Sequence, residues 1–151
     1  MVNKHGFDDT EWDLLLAVPF AVFFLVAYAD GTLSPAEGRT FASLADKIGE
    51  QADRPQDALV RDVMWQISRD FDRIMERLDV QMGAGLPFYE VLSAGRTLLD
   101  GMSDDTAAIA FKDTMVTMAE TIAAAWPRFG LGNRTSVEER RSIDFVRKVL
   151  G

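Results

Sequence analysis

The side chains best suited to binding a ligand lie around one predicted turn. There, Asp30 and Glu37 flank the short segment that contains Ser34. Two carboxylates with a hydroxyl between them offer oxygen ligands of the kind that Ca²⁺ and Mg²⁺ accept. The same residues fit a structural role, because Asp30-Gly31 is a common helix stop and Ser34-Pro35-Ala36-Glu37 forms a capping box. The sequence therefore leaves two interpretations of this turn open, a cation contact and helix punctuation.

The chain has few residues for other kinds of catalytic or metal site. The chain has no cysteine and one histidine, His5, which excludes disulfides, thiolate nucleophiles, iron–sulfur clusters and Cys/His zinc sites. We expect His5 to be exposed in a flexible tail over residues 1–9, so a Ser/His/Asp arrangement has no base. The sequence thus predicts a protein that is not an enzyme.

Charge limits the kinds of partner. With 24 acidic and 16 basic residues the net charge is −8, which repels a phosphate backbone and argues against nucleic acid. The acidic helix faces, or a patch around Trp126 and Phe129, could instead contact another protein without any metal. A protein-interaction module is therefore the alternative to a cation-binding domain.

The segment from Leu14 to Ala29 has no charged residue and raises the question of a membrane. As a helix it would be about 24 Å long, short of the roughly 30 Å of a bilayer core. Pro19 within it and acidic residues at both ends also argue against a span. We expect a buried core helix instead, with a membrane role unlikely. Residues 1–11 lack the apolar core of an export signal, which favours the cytoplasm.

Apolar periodicity predicts an all-α fold for a single domain over residues 10–151. No alternating strand pattern of useful length occurs. About six helices are expected. We place them after Thr10, from Ser34 to Gly49, from Pro55 to about Met82, from Pro87 to Gly101, from a Ser103 cap to about Ala125, and from Ser136 onward. The third has a seam of apolar residues at spacings of three and four: Val60, Met64, Ile67, Phe71, Ile74 and Leu78.

The two ends of the chain resemble each other. Aligning Ser34 with Ser136 also aligns Glu37 with Glu139 and three apolar positions, in the pairs Phe41/Ile143, Leu44/Val146 and Ile48/Leu150. A long apolar helix precedes each of these starts. The pattern predicts two related helix-turn-helix units flanking a middle helix pair, although any two capped amphipathic helices can be aligned in this way.

The first unit reads Ala27-Tyr28-Ala29-Asp30-Gly31-Thr32-Leu33-Ser34-Pro35-Ala36-Glu37. This segment resembles the signature of the TerB-like tellurite-resistance family. The layout of nearly the whole chain is also similar to that family. The resemblance implies a bacterial all-helical domain linked to tellurite and other stress responses. It also implies that acidic residues near the two turns bind a divalent cation. In this chain the acidic residues are Asp30 and Glu37 at the first turn, where Ser34 could add a hydroxyl oxygen, and Glu138 and Glu139 at the second, with Ca²⁺ or Mg²⁺ as the candidate ions.

The second turn departs from the family pattern. The family usually has a second Asp-Gly there, whereas no acidic residue lies between Ala125 and Ser136, and Arg128 and Arg134 add positive charge. The chain is thus expected to be a divergent member of the family.

Overall fold

The computed structural model describes residues 3–27, 35–83, 88–125 and 136–151, and it is all-helical over these ranges. Seven α-helices and one short 3-10 helix make up this part of the chain. Their bounds are α1 Asp9–Ala27, α2 Pro35–Gln51, the 3-10 helix Pro55–Asp57, α3 Ala58–Arg69, α4 Phe71–Gly83, α5 Phe88–Asp100, α6 Asp105–Ala125 and α7 Ser136–Leu150.

Helix α1 is the centre of the fold and contacts α3, α4, α5, α6 and α7. Every residue from Leu15 to Phe24 is buried, because neighbouring helices cover it on all sides. This confirms the prediction of a buried core helix. Across the four described ranges, no helix is both long enough and apolar enough to cross a membrane.

An aromatic cluster joins α1, α2 and α4. The ring of Phe41 stacks on Phe20 at 4.9 Å between centroids and meets Phe23 edge-on at 4.8 Å, while Phe71 lies 5.4 Å from Phe20. These arrangements are the ones that aromatic quadrupoles favour. The cluster fixes the inner face of α2 against the core.

The predicted seam is buried, with Phe71 half-buried against the core, but it belongs to two helices instead of one. Asp70 has φ −113° and ψ 27°, outside helical geometry, and ends α3 before α4 begins at Phe71. The described residues therefore contain seven α-helices where about six were expected. Seam spacing alone did not reveal the break, because the apolar stripe continues through it.

Two glycines allow close helix packing. A Cβ on Gly49 would lie 2.4 Å from Trp65 Cδ1, and one on Gly95 would lie 2.6 Å from Val18 Cγ2. We predicted that Gly49 stops α2, and this is wrong, since α2 continues to Gln51. The glycine is needed for the approach of α2 to α3.

Two residues near the start of the described chain, His5 and Phe7, are packed against the rest of the fold. His5 Nε2 lies 2.7 Å from Asp62 Oδ2, its ring stacks on Trp12 at 5.7 Å, and its side chain is only 13% exposed. Phe7 is buried in the core. The prediction of an exposed His5 is therefore wrong, because contacts with a helix more than 50 residues away hold it in place.

Two helix starts differ from the predicted ones. Asp8 caps α1 by accepting the backbone N–H of Glu11 at 2.8 Å, and Glu11 Oε1 accepts the Asp8 N–H in return. Asp104, and not Ser103, caps α6 by accepting the N–H groups of Thr106 and Ala107. Both caps use a carboxylate, which also interacts favourably with the helix dipole.

The alignment of the two ends is not matched by equivalent packing. Phe41 is fully buried whereas Ile143 is half-buried, and Leu44 and Ile48 are half-buried whereas Val146 and Leu150 are fully buried. Helix α2 packs mainly on α3, while α7 packs on α6, α5 and α1. Different neighbours thus cover the two helices.

Candidate functional site

The residues predicted to bind a cation lie, wholly or by their side chains, outside the part of the chain that the structure describes. Asp30 and Ser34 lie outside the described residues, and so do Trp126 and Phe129. Glu37 lies in α2, and Glu138 and Glu139 lie in α7, but their side chains are outside the described part. In that part, no group of three or more Asp, Glu, His or Cys residues is arranged to hold a metal ion. The acidic turn stays a prediction.

The described residues form a different candidate site, a cleft of about 400 Å³ between α2 and α6. Both helices pack against α3, which lies at the base between them. We call this the α2–α6 cleft. Its lining consists of Leu44, Lys47, Ile48 and Gln51 from α2, Ala52, Arg54, Asp57 and Val60 from the following segment and α3, and Ala110, Asp113, Thr114, Thr117, Met118 and Thr121 from α6.

The base of the α2–α6 cleft is apolar. Val60, Ala110 and Met118 are buried, and Leu44 and Ile48 are half-buried against the core. Clefts of this volume that combine an apolar base with a few polar groups are the usual form of binding sites. The arrangement suits a ligand with an apolar surface.

A bidentate ion pair is part of the lining of the cleft. Arg54 Nε donates to Asp57 Oδ2 at 2.8 Å and Arg54 Nη2 donates to Asp57 Oδ1 at 3.0 Å. The Asp57 side chain is 8% exposed, while that of Arg54 is 61% exposed. The hydrogen bonds from Arg54 hold the pKa of Asp57 below its ordinary value of 3.8, although burial opposes this. Asp57 is thus a charged group fixed in place by its partner.

The two walls of the cleft carry opposite charges. Lys47 is exposed on the α2 wall and Asp113 is exposed on the α6 wall. The pKa of Arg54 is raised, mainly by its hydrogen bond to Asp57 and the charge of that carboxylate, with smaller contributions from Asp53 and Asp113. Asp113 is therefore near enough to act on charges across the cleft.

A second cavity of about 520 Å³ lies between the N-terminal residues, the start of α3 and the connection from α5 to α6. Its polar lining includes His5, Glu11 and Asp104. These groups are engaged in the structure, since His5 contacts Asp62 and the other two cap α1 and α6. Burial alone would raise the pKa of Asp62, but hydrogen bonds from Lys4 and His5 and their charges lower it overall. His5, Glu11 and Asp104 therefore have structural roles in this cavity.

Sequence reasoning did not find the α2–α6 cleft. Leu44 and Ile48 belong to the apolar spacing of α2, and such spacing predicts a buried face and not a cleft. A signal was present, because Asp113, Thr114, Thr117 and Thr121 recur at helical spacing on one face of a helix that is otherwise rich in alanine and methionine. That polar stripe marks a face that no helix of the described residues covers.

Comparisons of the chain with protein-family models, curated proteins and solved structures found no match. The TerB-like resemblance therefore rests on the residues of the first unit.

Proposed function

We propose that this chain is a non-enzymatic helical domain that binds another protein through the α2–α6 cleft. The observation that carries the proposal is the partial exposure of Leu44 and Ile48, which lie on the inner face of α2 but border an open cleft. Covering them with a partner would remove apolar surface from water, at about 25 cal/mol for each Å².

The surroundings of this apolar base support a protein partner. Charged and hydroxyl groups on both walls form a polar rim, and an apolar centre with a polar rim is the common anatomy of protein interfaces. The net charge of −8 disfavours nucleic acid. We propose the cytoplasm as the compartment, and the resemblance to TerB-like domains supports a bacterial stress response as the setting.

The experiment compares partner retention by three forms of the full chain. Ile48→Glu places a charge in the cleft, while Ile109→Glu places the same charge at an apolar residue of α6 that is 57% exposed and does not line the cleft. Wild type and Ile109→Glu are expected to retain the same proteins from cells of the source organism, measured by quantitative mass spectrometry, and Ile48→Glu is expected to lose them.

Folding of each variant is checked by its circular dichroism and melting temperature, and Leu44→Gln gives a second, milder change in the cleft. Equal retention by the wild type, Ile48→Glu and Leu44→Gln would contradict the proposal. Loss of the same partner proteins by Ile109→Glu and Ile48→Glu would also contradict the proposal.

A second candidate function is cation binding at the acidic turn, with Asp30, Ser34 and Glu37 as ligands and Glu138 and Glu139 as further carboxylates. Its support is the position of these residues in the chain, because the buried helix α1 precedes the segment and α2 follows it, so an ion there would link two core elements. As in TerB-like domains, the role would be sensing or buffering Ca²⁺ or Mg²⁺ during metal or oxyanion stress.

Thermal melts in Ca²⁺, Mg²⁺ and EDTA test this second candidate. A cation bound only by the folded state raises the melting temperature as its concentration rises. We expect that increase for wild type and for Asp46→Asn, an exposed carboxylate of α2, and we expect Asp30→Asn to abolish it. Equal melting temperatures of wild type and Asp30→Asn at millimolar cation would contradict cation binding at this turn.

A further inference from the structure

We infer that the α2–α6 cleft binds an amphipathic helix of the partner protein, with an apolar stripe bordered by an acidic edge on one side and a basic edge on the other. The inference rests on the proposed protein-binding role of the cleft and names the chemistry of what occupies it. It is argued from the shape of the walls, from the recognition modes they permit and from their charges.

The walls have the shape of two helix faces. The lining residues of α2 are at positions 44, 47, 48 and 51, and those of α6 run from Ala110 to Thr121 at intervals of three and four. Each set is one face of its helix. The α6 wall is about 16 Å long, which corresponds to roughly three turns of a third helix lying along it.

Other ways of binding a peptide do not suit these walls. Strand addition needs an exposed sheet edge, and residues 3–27, 35–83, 88–125 and 136–151 include no strand. Polyproline recognition needs an aromatic groove, and the described residues that line the cleft include no aromatic ring. Thr114 and Thr121 donate to carbonyls of their own helix, so these hydroxyls have no proton left to donate to an extended backbone. Among these recognition modes, a helix that binds in an apolar groove is the one that fits the walls.

The charges on the walls specify the edges of that helix. Lys47 is exposed on the α2 wall, and the charge of Arg54 beyond it is already compensated by Asp57. Asp113 is exposed on the α6 wall. An acidic edge facing Lys47 and a basic edge facing Asp113 complement both walls at once. Turning the helix end for end exchanges its edges, so the charges also set its direction.

The test uses three fluorescent peptides of about 14 residues, long enough for a marginal helix in water. All three have the same leucine stripe, and their edges carry glutamate and lysine, glutamate only, or lysine only. Binding to the full chain is measured by fluorescence anisotropy. Wild type is expected to bind the mixed peptide with the lowest Kd, and each mismatched edge is expected to raise Kd about two- to fivefold.

A charge reversal on one wall should change this preference. Asp113→Lys makes both walls basic, so the glutamate-only peptide is expected to bind that variant most tightly. Glu90→Lys makes the same charge change at an exposed position of α5, away from the cleft, and is expected to keep the wild-type order.

Three outcomes would overturn the inference: no saturable binding of any peptide to wild type, an unchanged order with Asp113→Lys, or undiminished binding by Ile48→Glu. A saturable rise in melting temperature with free leucine, in the absence of peptide binding, would also overturn it by identifying a small-molecule site. If cellular partners depend on Ile48 while the peptides fail, the proposed function stands and this inference falls. If neither the cellular partners nor the peptides depend on Ile48, both the proposed function and this inference are contradicted.

Discussion

Helices α2 and α7 have similar apolar spacing and different surroundings. In α7, Val146 and Leu150 are fully buried, and the helix packs against α1, α5 and α6. In α2, Phe41 and Ala45 are buried, while Leu44 and Ile48 are half-buried beside the open cleft. The comparison shows that spacing sets which residues share a face, whereas the number of neighbouring helices decides whether that face is covered. We propose that a partner binds this face of α2, which the described helices leave partly exposed.

The largest predicted effect is on the free energy of unfolding. It compares matched truncations at aligned positions of α7 and α2. Leu150→Ala removes a fully buried side chain and is expected to lower the free energy of unfolding by about 2–4 kcal/mol. Ile48→Ala removes the same number of atoms from a half-buried position and is expected to cost about 1 kcal/mol. Urea denaturation measures both, and equal losses would contradict the contrast.

The next effect concerns how closely α2 approaches α3. Gly49→Ala places a Cβ against the indole of Trp65 and is expected to lower the free energy of unfolding by about 1–3 kcal/mol. Gly101→Ala is the control, since its Cβ would be 3.5 Å from the nearest atom and is expected to be nearly neutral. A neutral Gly49→Ala would show that α2 does not need this close contact.

The third stability effect depends on pH and concerns the ion pair of Arg54 and Asp57 in the lining of the cleft. The pKa of Asp57 is lowered by its hydrogen bonds from Arg54, so this contact stabilises the fold above pH 3.8 and is lost as pH falls through the folded-state pKa. Asp57→Asn is expected to cost about 1 kcal/mol at pH 7. The difference from wild type should shrink in acid below pH 3.8.

The matched change in α7 is Asp144→Asn, at a carboxylate paired with Arg147 on an exposed surface. It is expected to change the free energy of unfolding by less than about 0.5 kcal/mol. Denaturation curves for both variants at neutral and acidic pH check the contrast. A loss for Asp57→Asn that does not depend on pH would show that its charge is not what stabilises the fold.

Much of the fold could be predicted because it follows from local patterns. The apolar residues of α1 and the seam from Val60 to Leu78 identified buried faces, and the absence of alternation predicted an all-helical fold. The break at Asp70 was not predictable, since the backbone changes direction there without interrupting the apolar stripe. The contact between His5 and Asp62 joins distant parts of the sequence, and no local pattern reports it.

The candidate site was harder to predict for a related reason. A cleft depends on which helices fail to meet, and periodicity along one helix says nothing about the placement of another. The half-burial of Leu44 and Ile48 could be recognised only after α2 and α6 were both placed on α3. The cation prediction came from the acidic residues themselves, so it is tested by the melts described above.

The most direct test of the central claim is a methyl NMR titration of the full chain with the peptide that has one acidic and one basic edge. We predict saturable shifts for the methyl groups of Leu44, Ile48 and Met118, which line the α2–α6 cleft, with Val146 and Leu150 in α7 unchanged. Shifts confined to α7, or no saturable shift in the cleft, would contradict the claim that the uncovered face of α2 binds a partner.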